Sequence, residues 1–284
     1  MYKNIPGFLL VAIALISLGG CAGGPATLVL ATTTSTADSG LLDDLLPPFQ
    51  AANNVRVEVV AVGTGQAMAL GERGDADVLL VHDRTREDEF VARGYGVGRK
   101  DVMYNDFVVI GPADDPAGIM GSPSAAEAFA RIARAGSAGE ALFVSRGDKS
   151  GTHAKELQAW KSAGIEPSGK WYRETGQGMG DTLTVANEMR AYTLADRGTY
   201  LSRREGLALI LLAEGDKLLF NPYGIIAVNP ERYSHVKYDL AVKLIEYLTS
   251  YQTQERIGEF GRERYGQPLF YPNSQAWRAQ QKSP

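Results

Sequence analysis

The sequence predicts an α/β protein with largely parallel sheets covered by helices on both faces, and three observations carry that prediction. Short apolar runs rich in Val, Ile and Leu alternate along the chain with segments of helical spacing. A length of 284 residues gives room for about two domains at roughly 150 residues each, which excludes a peptide hormone or a lone finger. Hydrophobic residues at 44 %, charged residues at 22 % and aromatics at 9 % form an ordinary globular balance, far from that of a disordered chain.

Residues 1–20 read as a secretory signal peptide: one cation, Lys3, then the apolar run Phe8-Leu9-Leu10-Val11-Ala12-Ile13-Ala14-Leu15-Ile16, then small residues up to Cys21. The run is too short for a bilayer span of about 20 residues. Leu18-Gly19-Gly20-Cys21 resembles the bacterial lipobox, so Cys21 is expected to be the lipidated mature N-terminus. The alternative is a plain signal cut near Ala22 with an incidental thiol. With a single cysteine no disulfide forms within the chain, and three separated histidines make no zinc site. Losing Lys3 leaves 28 cations against 33 anions, a net of −5 where the whole chain has −4, so no basic field exists to hold nucleic acid. No later apolar run has the length of a membrane span, and the body is expected to be exported to the periplasm or cell envelope and tethered there.

Residues 21–26 read as a flexible tether, and Thr27-Leu28-Val29-Leu30-Ala31-Thr32 as a buried strand. Leu41-Leu42-Asp43-Asp44-Leu45-Leu46 has helical spacing, but Pro47-Pro48 should end or bend that helix. Val55-Arg56-Val57-Glu58-Val59 alternates as a strand with one wet face, and a helix over 66–71 follows Gly63-Thr64-Gly65. Asp77-Val78-Leu79-Leu80-Val81 is the next strand, with a charged surface helix over 84–93 closed by Gly94. Strands at 106–110 and 141–144 and helices at 124–135 and 150–163 continue the alternation. Gly176-Gln177-Gly178-Met179-Gly180-Asp181 turns into a helix over 182–190. Gly111-Pro112 after one strand and Asn221-Pro222 before another could mark paired crossings between two lobes. Apolar residues at 240, 244, 245, 248 and 257 suit one long amphipathic helix over 237–260.

Three strand-to-helix loops are crowded with hydroxyls, glycine or arginine: Thr32-Thr33-Thr34-Ser35-Thr36, Gly63-Thr64-Gly65-Gln66, and Ser145-Arg146-Gly147-Asp148-Lys149-Ser150-Gly151-Thr152. A helix start offers unpaired N–H groups and the positive end of the dipole, which suits such turns to holding an oxyanion. Ser150 would serve equally as an N-cap, and Arg146 either pairs with Asp148 or meets an anion. Five consecutive hydroxyl residues exceed what one cap requires. Neither a P-loop nor a nucleophile elbow fits Gly147-Asp148-Lys149-Ser150-Gly151.

The strings Leu30-Ala31-Thr32-Thr33-Thr34-Ser35-Thr36, Ala61-Val62-Gly63-Thr64-Gly65-Gln66-Ala67, Gly74-Asp75-Ala76-Asp77-Val78, Met103-Tyr104-Asn105-Asp106-Phe107-Val108-Val109-Ile110-Gly111-Pro112 and Phe143-Val144-Ser145-Arg146-Gly147-Asp148-Lys149-Ser150-Gly151-Thr152-His153 together resemble the tungstate-binding proteins (TupA type) of bacterial ABC importers. The likeness covers nearly all of the mature chain. It implies a two-lobed periplasmic-binding-protein-like fold of type II with the ligand cleft between lobes: lobe I as 27–108 plus 224–284, lobe II as 109–223. It further implies oxyanion donors Thr33, Thr34, Ser35 and Thr64 from lobe I and Arg146, Ser150 and Thr152 from lobe II. Neither a cofactor nor a metal ligand set is implied, and the partners would be tungstate and a membrane permease with its ATPase.

Enclosing a dianion strips hydration worth tens of kcal/mol, which one guanidinium cannot replace. Charge-assisted hydrogen bonds contribute about 1.5–3 kcal/mol each, so roughly six to eight convergent donors reach the scale of nanomolar affinity, about −12 kcal/mol. Arg146 as the only full cation among neutral donors would suffice. The expectation is therefore a lipid-anchored solute-binding protein for tungstate and not an enzyme. Molybdate or another tetrahedral oxyanion is the near alternative. An exported ester hydrolase using Ser150 or Thr152 beside His153, or a signalling or adhesion lipoprotein, are the alternatives of other classes.

Overall fold

The computed structural model describes residues 24–281, so the expected signal peptide 1–20 and Cys21 lie outside the described residues. Strand β1 (Ala26–Thr33) runs into the short helix α1 (Thr34–Asp38), followed by α2 (Leu41–Asn53), β2 (Val55–Val62), α3 (Thr64–Arg73), β3 (Val78–Val81), α4 (Arg84–Ala92) and the long β4 (Gly96–Pro112). Next come α5 (Ala125–Ser137), β5 (Phe143–Ser145), α6 (Gly151–Ser162), β6 (Tyr172–Glu174), α7 (Met179–Glu188), β7 (Thr193–Asp196), α8 (Arg197–Arg203) and β8 (Leu209–Ala213). The chain returns through β9 (Phe220–Val228) and closes with α9 (Tyr238–Thr249), α10 (Tyr251–Glu259), α11 (Arg262–Tyr265), β10 (Tyr271–Pro272) and α12 (Gln275–Gln281).

β1 pairs in parallel with both β2 and β3, so the hydroxyl-rich end of β1 lies beside Val62, just before Gly63-Thr64, and beside the end of β3. Sheet order is β10-β4-β9-β3-β1-β2, with β7 and β8 pairing with the last residues of β4. The expectation of largely parallel sheets is corrected here. β4 pairs antiparallel with β9, β10, β7 and β8, and β3 with β9, because β4 crosses the molecule and β9 returns alongside it. The partner of β4 changes between Asp106, opposite Phe220 of β9, and Phe107, opposite Asp196 of β7. Asn105 and Asn221 are register partners there, joined by a 2.7 Å side-chain hydrogen bond.

One further expectation is narrowed and one is corrected. At Pro47 and Pro48, where the sequence predicts an end or a bend, helix α2 continues without ending. Proline 48 cannot donate to the carbonyl of Asp44, four residues back, and Arg256 donates to that oxygen at 2.6 Å instead. Likewise the C-terminal helix is two helices. Ser250 adopts extended angles (φ −66°, ψ 150°) and caps α10 by accepting from the Thr253 N–H, which ends α9.

One apolar cluster packs α2 and α9 against the sheet and continues through Val108, Ile110 and Leu183. A second gathers Phe129, Phe143, Trp160 and Tyr192 around α5 and α6, and a third joins Ala67, Leu79, Phe90 and Ile226 around α3 and α4. Rigid cores on both sides of the β4–β9 crossing fix the loops that face each other.

Candidate functional site

The hydroxyl run after β1 divides its work. Thr32 donates to the carbonyl of Leu80 across the sheet at 2.7 Å, which locks β1 to β3. Thr33 is buried, its hydroxyl bonded to Thr36 at 2.7 Å and Ser35 at 3.2 Å. Thr34 and Ser35 lie on a cavity of 450 Å³. Although Thr33 occupies the N-cap position of α1, its side chain makes no capping bond, and α3 and α7 begin after Gly63 and Gly178, which have no side chain to cap with. Their first-turn N–H groups are thus left to other acceptors.

Across the cavity stands Arg146, between β5 and α6. Its Nε lies 2.8 Å from Asp148 Oδ2, a charge contact whose N–H is not aligned for a hydrogen bond, and one Nη donates to Thr152 Oγ1 at 3.4 Å. Pairing with the acid and facing the cavity, the two readings of this arginine, coexist. Ser150 caps α6, accepting from the His153 N–H at 3.3 Å, which leaves its own O–H free to donate. Buried Glu156 accepts from Ser145 Oγ at 2.7 Å, Trp160 Nε1 at 3.1 Å and Tyr172 at 2.8 Å, fixing α6 to β5 and β6 beneath the loop.

Thr64 heads α3 and lines a neighbouring cavity of 390 Å³ together with His82, Gly151 and Lys155. The structure thus brings Thr34, Ser35 and Arg146 onto one cavity and Thr64 onto the next. The 145–152 loop spans both, through Arg146 on one side and Gly151 on the other. Burial presses the His82 imidazole down to about 4, so the ring is neutral at neutral pH, and burial also lowers the Lys155 ammonium. His153 is committed to its own loop: its Nδ1 accepts from the Lys149 N–H at 3.0 Å, and the Ser150 hydroxyl meets the His153 backbone, not its ring. Among the described residues no group of three or more His, Cys, Asp or Glu could hold a metal ion.

Sequence reasoning missed several lining residues. Arg203 and Arg264 face the larger cavity, so Arg146 is not its only cation; with Asp38 and Asp196 the lining carries a net of +1. Gly178 and Gly180, for which turn chemistry sufficed in the sequence, line it too. Asp196 caps α8 by accepting from the Thr199 N–H at 2.8 Å, and Arg197 beside it grips Asp106 of β4 through two bonds of 2.6 Å. Those bonds to Asp106 raise the Arg197 guanidinium further above its ordinary value. The string Thr193-Leu194-Ala195-Asp196-Arg197-Gly198-Thr199 is a fourth strand-to-helix turn with a hydroxyl, and that was the signal available.

Loops from both sides of two antiparallel crossing strands thus face one cavity, an arrangement suited to enclosing an anion. The model of the PBP superfamily domain matches residues 21–252. The tungstate-binding protein TupA of Peptoclostridium acidaminophilum is 50 % identical over 250 residues, 87 % of this chain and 86 % of that one. The chain belongs to the TupA family of tungstate-binding proteins. Its fold is the two-lobed periplasmic-binding fold of type II. A TupA structure from Desulfovibrio alaskensis is 46 % identical over 88 % of this chain and 100 % of that one, at a TM-score of 0.80. The structure described as the tungstate ABC transporter from Geobacter sulfurreducens is 59 % identical over 82 % of this chain and 98 % of that one, at a TM-score of 0.73.

Proposed function

We propose that this protein captures tungstate in the cleft and delivers it to a membrane permease driven by an ATPase. The observation that carries the reading is the placement of Thr34 and Ser35 from one side and Arg146 from the other on a single cavity, in a chain of the TupA family. Thr34, Ser35, Thr64, Ser150 and Thr152 supply neutral donors and Arg146, with Arg203 and Arg264 on the same cavity, the charge, while Thr33 works from beneath through its bond to Ser35. Uncapped helix starts add N–H groups, which lets a chain of net charge −4 hold an anion without a basic surface. Lobe I is assigned to 27–108 plus 224–284 and lobe II to 109–223; the switch of β4 partners at Asp106 and Phe107 supports that division.

The leader over 1–20 and the lipobox-like Leu18-Gly19-Gly20-Cys21 support export to the periplasm or cell envelope, with residues 21–26 as tether and a lipid on Cys21. No helix among the described residues is long and apolar enough to cross a membrane. In this reading the protein binds and releases its ligand without converting it. Molybdate, a tetrahedral dianion of nearly the same size, is a second ligand that the same donors accept.

Calorimetric titration of the purified protein with tungstate, molybdate, sulfate and phosphate tests the proposal. Tungstate is expected to bind with a Kd on the order of nanomolar. Absence of tungstate binding below micromolar would overturn it.

A further inference from the structure

Gly151 opens α6 at a place where glycine needs a reason. It is not among the residues with positive φ, so the backbone does not call for it, and glycine is a poor helix former. Space supplies the reason. A methyl group built on Gly151 would stand 2.9 Å from His82 Cε1 and 3.6 Å from its Nδ1.

His82 follows β3, on the opposite side of the cleft from α6, where its ring lines the 390 Å³ cavity and is backed by Tyr223. It lies against the buried ring of Tyr223, 4.8 Å between centroids, and its Nε2 is buried without a hydrogen-bond partner. Tyr223 belongs to the returning strand β9, where Asn221 bonds both the Tyr223 hydroxyl at 3.4 Å and Asn105 of β4 at 2.7 Å. One turn along α6, the Lys155 ammonium donates to the Phe220 carbonyl of the same strand at 3.1 Å. The start of α6 is therefore stopped by one contact and tied by another, both referred to the crossing strand.

We propose that the contact between His82 and Gly151 sets how closely the two lobes approach, which makes both of them positioning residues for the donors Ser150 and Thr152 on either side of Gly151. The inference rests on the cleft reading under Proposed function and adds to it a stop for closure. Glycine at 151 is the smallest spacer the contact permits, and the neutral imidazole packs against the positive end of α6 without repulsion.

The experiment compares tungstate titrations of the full protein, Gly151→Ala, His82→Ala and the double variant, with small-angle scattering before and after tungstate. Gly151→Ala is expected to lose roughly ten- to a hundredfold in affinity, the scale of forcing one methyl into a packed contact. Its ligand-free unfolding temperature should hold or rise, because alanine is the better helix former. The double variant should recover to within about threefold of wild type, as coupled neighbours do. His82→Ser replaces His82→Ala if the latter does not fold. Scattering should show contraction on tungstate for wild type and the double variant and a smaller contraction for Gly151→Ala. Gly151→Ala binding like wild type, or a double variant no better than Gly151→Ala, overturns the stop while leaving the tungstate reading intact. Wild type that binds no tungstate overturns both.

Discussion

Arg146 makes a structural contact with Asp148 and lines the cavity at the same time. Its Nε meets Asp148 and its fork still faces the cavity, with the side chain 17 % exposed. Arg146→Ala is expected to cost about 3 kcal/mol of tungstate affinity, on the order of a hundredfold in Kd, since it removes a guanidinium able to make two charge-assisted bonds. Fold stability should change by less than about 1 kcal/mol, because a partly exposed ion pair contributes little. Calorimetry and thermal unfolding read the two quantities separately, and unchanged affinity would remove Arg146 from the site. That an arginine and hydroxyls gather in this loop was legible in the sequence. Which hydroxyls face the cavity was not: Thr32 and Thr34 look alike as letters, yet one is spent on the Leu80 carbonyl and the other is exposed to the cavity.

Elements were legible wherever a segment's own periodicity decided its structure. β2 alternates buried and exposed at Val55, Arg56, Val57 and Glu58 as its pattern predicts, and Ser124 and Ser150 cap the helices they precede. Long-range partners hid the rest. The first half of β4 carries Arg99 and Asp101, which do not look like strand interior until Glu87 of α4 is seen 2.7 Å from the Arg99 guanidinium and Asp101 at 2.6 Å. Helix α2 tolerates Pro48 because Arg256, from α10, bonds the Asp44 carbonyl that the proline leaves without its donor at 2.6 Å, and the Asp44 carboxylate at 2.9 Å. Replacing Arg256 by Ala should therefore lower stability by about 1–2 kcal/mol, the cost of leaving a carbonyl and a carboxylate without their partner. A urea midpoint equal to wild type would show that the prolines need no such support.

At the scale of the whole molecule, the proposed lipid attachment and the proposed capture can be tested separately. Cys21→Ser should move the protein from the membrane fraction to the soluble fraction of cells while tungstate titration of the purified protein stays unchanged; retention in membranes would refute the lipid anchor. By itself the amino-acid order determined the alternation of strands and helices and the hydroxyl-rich turns, since each depends on neighbours a few residues apart through periodicity and capping. Only tertiary structure decided that the crossing strands run antiparallel, that Arg203 and Arg264 join Arg146 on one cavity, and that Gly151 meets His82. Those facts join residues dozens of positions apart, whose meeting is set by the packing of separate cores about β4 and β9 and leaves no local trace in the chain.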